Sequence, residues 1–513
     1  MTKMWQPSNS TINSSQLTVF TKYIEEKFNC QFDDYKALWQ WSIDNKELFW
    51  LSIWQFFSVI HQSPPTTIFK SNGSEFYQNT WFNGAKLSFA ENLLKNKSEN
   101  IALCFINETG TKTSLSYLQL NNLCGRLANA MRENGIKKGD RIAGIMPNCL
   151  ETVIAMLATT SIGAIWSSCS PDFGFQGCMD RFEQIQPKLI FSVDGYQYNG
   201  KSHQCLDKVH KLLNNISSIE QLIIIPFNSN ELSVSDYKQT ILFNDYLSNN
   251  DSLIFESVPF NHPLYIMFSS GTTGSPKCIV HSVGGTLLQH LKELALHSNI
   301  SNKDKVFFFT TCGWMMWNWM ISSLALSAEV ILYDGCPTYK KPDLLLEIVA
   351  KQHVTVFGCG AKYLDSIEKA GSCPIKNYDF KALKTILSTG SALSPHSFDF
   401  VYKDIKSDLQ LSSISGGTDI ISCFALGNPN TPVYRGELQC AGLGMDVQIF
   451  DENANSVKNQ KGELVCCSPF PSMPMYFWND PENKKYHNAY FDRFKNCWAQ
   501  GDYAKLTQNN GLI

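Results

Sequence analysis

The sequence predicts an α/β protein whose centre is a set of βαβ units in covered, largely parallel sheets, and three observations carry that reading. From about Ile101, short β-rich runs alternate with helical periods. The runs are Arg141–Met146, Lys188–Val193, Gln221–Pro226, Lys305–Thr311, Glu329–Tyr333, Val354–Phe357 and Thr385–Ser388, with helix-like Thr286–His297 and Asp343–Gln352 between some of them. Such alternation is the pattern of crossover connections between parallel strands. After Asn428-Pro429-Asn430 it gives way to short strands and turns, as in Gly442–Phe450 and Gly462–Ser468, which marks a smaller β subdomain. Finally, 513 residues exceed the roughly 100–200 of one ordinary domain.

Ahead of the alternating region, the first ninety-odd residues read as helices around Trp39, Trp41, Phe49, Trp50, Trp54 and Phe57, with turns at Ser63-Pro64-Pro65 and Ser71-Asn72-Gly73. A helical cap that packs its aromatic side chains is expected there. The expected divisions are 1–95 for the cap, 96–430 for the α/β core and 431–513 for the β subdomain. The opening MTKMWQPSNSTINSS is polar, without an apolar run behind a basic start, and does not read as a secretory signal. Leu48–Ile60 and Thr152–Trp166, the longest apolar candidates, fall short of the ~20 residues of a membrane-spanning helix.

Lys+Arg 43 against Asp+Glu 46 leaves a net charge of −3 with no long basic block, which argues against a non-specific nucleic-acid surface. Seventeen cysteines are scattered, with only Cys466-Cys467 adjacent and no C-x-x-C spacing, so no zinc site is expected. The thiols read as reduced and buried, in a cytosolic protein with no membrane span and no nucleic-acid partner.

The most informative stretch is Ser269-Ser270-Gly271-Thr272-Thr273-Gly274-Ser275-Pro276-Lys277, preceded by the strand-like Leu264-Tyr265-Ile266-Met267-Phe268. Small residues let the backbone approach a ligand, N–H groups and hydroxyls can surround phosphate oxygens, and the lysine adds positive charge. The spacing is not the Walker form. Pro276 precedes the lysine, Cys278-Ile279-Val280-His281 continues as a second strand-like run, and a helical pattern begins only near Gly284-Gly285-Thr286. A hairpin without a ligand is the alternative at the level of residues.

Other segments join this loop in order: Trp81-Phe82-Asn83-Gly84-Ala85-Lys86-Leu87, Lys138-Gly139-Asp140-Arg141, Gly313-Trp314, Ser388-Thr389-Gly390-Ser391-Ala392-Leu393, Ser415-Gly416-Gly417-Thr418-Asp419, Gly462-Glu463-Leu464 and Gly501-Asp502. With them the chain resembles the adenylate-forming acyl-CoA synthetases over nearly its whole length. The resemblance implies the large N-terminal domain of adenylate-forming enzymes: two βαβ-type subdomains, with 96–430 as the AMP-binding core, plus a smaller β-barrel-like subdomain. Gly313–Met320 and Ser415–Asp419 look most like the members that activate acetoacetate. In members that use acetate, a tryptophan walls a small pocket at the position of Gly416, so the glycine implies room for a longer acyl chain such as a four-carbon keto acid. Room alone does not choose acetoacetate over butyrate.

By resemblance, Ser269, Ser270, Gly271, Thr272, Thr273, Gly274 and Lys277 hold the β/γ phosphates of ATP. Gly390, Ser391 and Ala392 form the adenine-side turn, Gly416 and Gly417 flank the nucleotide, and Asp502 takes the ribose hydroxyls. Thr418 contacts the α-phosphate and Asp419 stands near Mg²⁺, where the family usually carries glutamate. Lys277, Thr418 and Asp419 are the candidate catalytic residues, and Asp419 the candidate metal ligand. Read from residues alone, Asp419 is a loop carboxylate capping a helix from Ile420, and Asp502 belongs to a common Gly-Asp turn. The acyl pocket implied is Trp314, Met315, Met316, Thr389 and Gly416, although Met and Trp at strand spacing also suit a core. His281 and Trp317 either line the site or pack beside it.

The implied reaction is attack of a carboxylate on the α-phosphorus of MgATP, giving an acyl-adenylate and pyrophosphate, then attack of the coenzyme A thiol, releasing AMP. Positioning and charge neutralisation serve both steps, so no protein nucleophile is needed and no cysteine is nominated. The family's ribose-contacting arginine, hinge and lysine-bearing C-terminal domain lie beyond Asp502, and the chain ends eleven residues after it. Three functions are therefore expected in competition: an acetoacetate–CoA ligase, a ligase for another short-chain acid such as butyrate, or a truncated, non-catalytic ATP- or acyl-binding protein.

Overall fold

The computed structural model describes every residue except 230, 231, 236 and 270–273. Two large sheets form its centre. In the first, Thr240–Leu242, Gln221–Ile225, Leu189–Val193, Arg141–Ile145, Ile165–Cys169 and Pro263–Ser269 run parallel, and Lys277–Ser282 folds back antiparallel on the last of them. Tyr476–Phe477 completes its edge. In the second, Gln410–Ser413, Thr385–Thr389, Val356–Gly360, Lys305–Phe308, Glu329–Asp334 and Ile101–Asn107 are parallel, with Lys112–Ser116 antiparallel at the rim. The central strands are apolar without alternation because helices cover both faces; Leu189–Val193 is buried throughout.

Local chemistry sets the helix ends. Tyr117–Glu133 starts on a reciprocal cap between Ser116 and Gln119. Val283–Leu291 starts where the Ser282 hydroxyl accepts from the Gly285 N–H at 3.1 Å. Glycine is required at 285, since a Cβ there would lie 2.1 Å from the Pro471 carbonyl oxygen.

Besides four two-stranded pairs, the remaining strands form two three-stranded antiparallel sheets. Ser415–Gly417, Ser422–Leu426 and Cys440–Ala441 make one, and Val447–Phe450, Gly462–Cys466 and Trp498–Ala504 the other. The first straddles position 430, because pairing joins strands on both sides of the Asn428–Asn430 turn. The aromatic segment near the N-terminus is helical at Gln16–Phe28, Tyr35–Asp44 and Lys46–Phe56, and buries Phe49, Trp50 and Trp54. It docks on the small sheets: Trp39 Nε1 donates to the Met445 carbonyl at 3.0 Å, and Gly444, at φ +72, leaves space for Phe49 and Trp50. One core runs from Phe20 through Trp166 and Trp317 to Phe424 and Trp498. No described helix is long and apolar enough to cross a membrane. All seventeen cysteines are free thiols, and most are buried.

Candidate active site

The carboxyl ends of parallel strands face one cleft, the position at which open α/β sheets present binding loops. Thr389 ends one strand and Ser269 another. A cavity of ≈ 350 Å³ is lined by Trp314, Met315, Met316, Thr389, Gly390, Ser391, Ala392, Gly416, Gly417 and Asp502. Four segments separated in sequence thus supply ten of the expected residues to one space. A larger cavity, ≈ 610 Å³, lies between the Tyr35–Asp44 helix and residues of the small sheets and contains none of them. Ser270, Gly271, Thr272 and Thr273 fall outside the described residues. The loop's flanks are antiparallel strands, with Ser269 paired to Lys277, so the expected second strand after the loop holds.

Lys277 Nζ lies 3.2 Å from Asp419 Oδ1. The Tyr490 hydroxyl donates to the same oxygen, and its ring stacks on Trp498 at 3.7 Å and 15°. Burial first, then the Asp419 charge, push the Tyr490 phenol well above its ordinary range, so it remains a donor. Tyr490 was not singled out from the sequence; the available signal was Tyr486 and Tyr490 four apart on the short Lys484–Tyr490 helix, followed by Trp498. Asp419 sits in the turn between Ser415–Gly417 and Ser422–Leu426. No helix begins at Ile420, which removes the capping alternative. Asp419 Oδ2 has no hydrogen bond among the described residues, and a Cβ at Gly417 would lie 3.9 Å from it. That free oxygen suits magnesium, which takes one or two carboxylates and fills its shell with phosphate and water. Among the described residues no cluster of three metal-ligating side chains forms a separate cage.

Gly416 requires a correction. It lines the cavity, but a Cβ there would lie 2.1 Å from the Ser422 carbonyl oxygen and 2.6 Å from Cys423 Cα. A β-irregularity between Ser415 and Gly416 turns that direction toward the neighbouring strand. The glycine therefore permits strand packing, and the expected opening of acyl room by loss of a side chain does not follow from this geometry. The Met and Trp run also differs from its strand-like spacing: Met315–Ile321 is a helix, with Met315 and Met316 turned to the cavity.

Gly390 has φ +86, and a Cβ there would sit 3.5 Å from Trp314 Cζ2, so the turn lies against the indole. Thr389 Oγ1 donates to the Ile414 carbonyl at 2.9 Å. Asp502 is exposed and accepts from Gln500 Nε2 at 2.8 Å. Asp502 lies within the strand Trp498–Ala504, at an irregularity in its pairing, and not in the Gly-Asp turn its sequence suggested; buried Glu463 anchors the strand there, accepting from the Gly501 N–H at 2.9 Å and pairing with Arg493. The Gly462-Glu463-Leu464 segment thereby supports Asp502.

The two ambiguous residues separate. Trp317 is fully buried, donates to Asn148 Oδ1 at 2.9 Å, and does not line the cavity. His281 is buried and donates from Nε2 to the Thr418 carbonyl at 2.9 Å, fixing the turn that carries Asp419. Burial depresses its imidazole to about 3, so it is neutral. The same hairpin is held by His290 on the Ile421 carbonyl and by His297 on the Gly427 carbonyl, each at 2.8 Å.

A family model described as AMP-binding enzyme matches residues 89–477, and one described as acetyl-coenzyme A synthetase N-terminus matches 35–93. Acetoacetyl-coenzyme A synthetase of Rhizobium meliloti is 45% identical over 99% of this chain and 78% of its own length. Acetoacetyl-CoA synthetase of Mus musculus is 41% identical over 99% and 77%. The solved acetoacetyl-CoA synthetase from Streptomyces lividans superposes with a TM-score of 0.95 at 36% identity, covering all of this chain and 80% of that one. With an unbroken match across cap, sheets and site, the chain belongs to the AMP-binding enzyme family and, within it, to the acetoacetyl-CoA synthetases.

Proposed function

We propose that this chain activates acetoacetate with MgATP and passes the acyl group to coenzyme A. The observation that carries the reading is the single cavity in which the Gly390–Ala392 turn, the Gly416-Gly417 strand, Asp502 and the Trp314–Met316 wall meet. In this reading the turn and Trp314 hold the adenine and acyl ends close together. Asp502 accepts from the ribose hydroxyls, residues 269–277 surround the β/γ phosphates, and Thr418 meets the α-phosphate. Met315, Met316 and Thr389 complete the acyl wall, with the Gly416 backbone opposite. Asp419 Oδ2 is the oxygen offered to magnesium, which when bound neutralises charge on the departing pyrophosphate.

A carboxylate oxygen attacks the α-phosphorus as the bond to pyrophosphate breaks; the coenzyme A sulfur then attacks the carbonyl carbon and AMP leaves. The protein's part is to align the carboxylate and phosphorus and to meet developing charge with fixed donors such as Lys277. The divisions 1–95, 96–430 and 431–513 are proposed as its working units, and the free thiols favour a reducing, cytosolic setting. The test is ligase turnover with acetoacetate, acetate or butyrate in the presence of ATP, Mg²⁺ and coenzyme A. Acetoacetate should give the largest kcat/KM. A larger value for either competitor overturns the assignment.

A further inference from the structure

The helical segment after Lys277–Ser282 carries a polar stripe that the chemistry above does not use. Gln289, Glu293 and His297 recur every four residues through the α-helix and the π-helical turn Lys292–His297 that continues it, and all three are buried. Glu293 is the hub. Its Oε1 accepts from Gln289 Nε2 and from the Cys423 backbone N–H, both at 3.0 Å, while Oε2 accepts from Trp319 Nε1 at 2.9 Å. Lys292 Nζ stands 3.6 Å from Oε1 and donates to the Leu443 carbonyl at 3.1 Å. A carboxylate this deep is tolerated only when donors and a cation match it, and its commonest benefit is to fix one arrangement of the elements around it.

Those elements are the two walls of the cavity. Trp319 lies on the helix whose first turn presents Met315 and Met316. Cys423 lies on the strand paired with Gly416 and lines the cavity from the other side. We propose that Glu293 is a specificity-determining positioning residue, bracing the Met315–Ile321 helix against the Ser422–Leu426 strand and so fixing the width available to the acyl chain. Glu293 itself does not line the cavity. The inference rests on the reading that this cavity takes the acyl group. Pocket discrimination of one methylene is worth roughly 10–200-fold, and depends on walls that do not give way.

The test measures binding of AMP and of non-hydrolysable acyl-sulfamoyl adenosines bearing acetyl, acetoacetyl or butyryl groups to the wild-type chain, Glu293→Gln and Trp319→Phe. Glutamine offers one acceptor oxygen and an NH₂, so a donor would face a donor at either Cys423 or Trp319. Phenylalanine removes the indole N–H together with part of the buried ring, leaving Glu293 Oε2 without its donor. Both variants should keep AMP affinity within about threefold while the acetoacetyl-to-acetyl preference falls at least about fivefold. Parallel losses for AMP and every analogue, or an unchanged preference, overturn the proposal. Should Glu293→Gln fail to fold, Trp319→Phe decides by the same ratio. A wild-type chain without preference overturns the acetoacetate assignment together with this inference; a wild-type preference that both variants retain overturns the inference alone.

Discussion

Replacing His290 with glutamine should make stability less sensitive to acid, by an amount the structure sets. His290 is fully buried, donates from Nε2 to the Ile421 carbonyl, and turns Nδ1 toward Ser322 Oγ at 2.8 Å. Burial lowers its imidazole from 6.5 to about 4. A depressed folded value means that stability is complete above the unfolded value and is lost as pH falls from there toward the folded value. Between pH 7.5 and 5.0 the unfolded chain gains almost a full proton at this site while the native one gains about a tenth, which integrates to about 2 kcal/mol lost. Glutamine keeps a donor for Ile421 and cannot titrate. At pH 7.5 the variant should be less stable by about 1–2 kcal/mol, for the lost Ser322 contact and shape, and by pH 5.0 the difference should have moved about 2 kcal/mol in the variant's favour, closing or reversing it. Urea titrations of both chains at the two pH values, followed by tryptophan fluorescence, give the double difference, in which every shared titrating group cancels. A gap that stays constant within about 0.5 kcal/mol refutes the neutral buried imidazole. His281 and His297, each depressed to about 3, should behave alike.

Two further outcomes follow from the site. Tyr490→Phe removes the hydroxyl that donates to Asp419 while keeping the ring on Trp498, and a lost bond to a charged group of about 1.5–3 kcal/mol corresponds to roughly a 10- to 100-fold fall in adenylate formation. Pyrophosphate exchange measures it, and wild-type rates would remove Tyr490 from the site. Gly416→Ala places a methyl against the Ser422 carbonyl, so kcat/KM for acetoacetate and acetate should fall together, by about 1–3 kcal/mol of strain. A loss confined to acetoacetate would mean that position 416 faces the acyl chain after all.

The sequence was most legible where a single element decided the outcome. Leu189–Val193 reads as a strand because burial on both faces demands a nearly continuous apolar run, broken here only by Ser192. The turn away from a Walker loop was readable because Pro276 and the apolar Cys278–Val280 require extended backbone up to Ser282. Illegible features depend on pairing across distance. The direction of a Gly416 side chain is set by an irregularity against Cys423, and the Tyr490–Asp419 bond spans 71 residues. Met315–Ile321 is seven residues, apolar except for Asn318, too short for its period to distinguish helix from strand. The polar stripe at 289, 293 and 297 was visible in principle, as charged and amide residues at helical spacing in an apolar segment, yet only the fold shows what it braces.

Cys423 gives the abundance of buried thiols a chemical consequence. An acyl-adenylate is an electrophile that any thiolate within reach will capture, and Cys423 is among the residues that line the proposed reaction vessel. Burial, reinforced by the negative charge of Glu293, pushes it well above the usual thiol range. Held as S–H, it is a poor rival to coenzyme A. In the proposed function, protonation state thus favours transfer to the external acceptor over self-acylation.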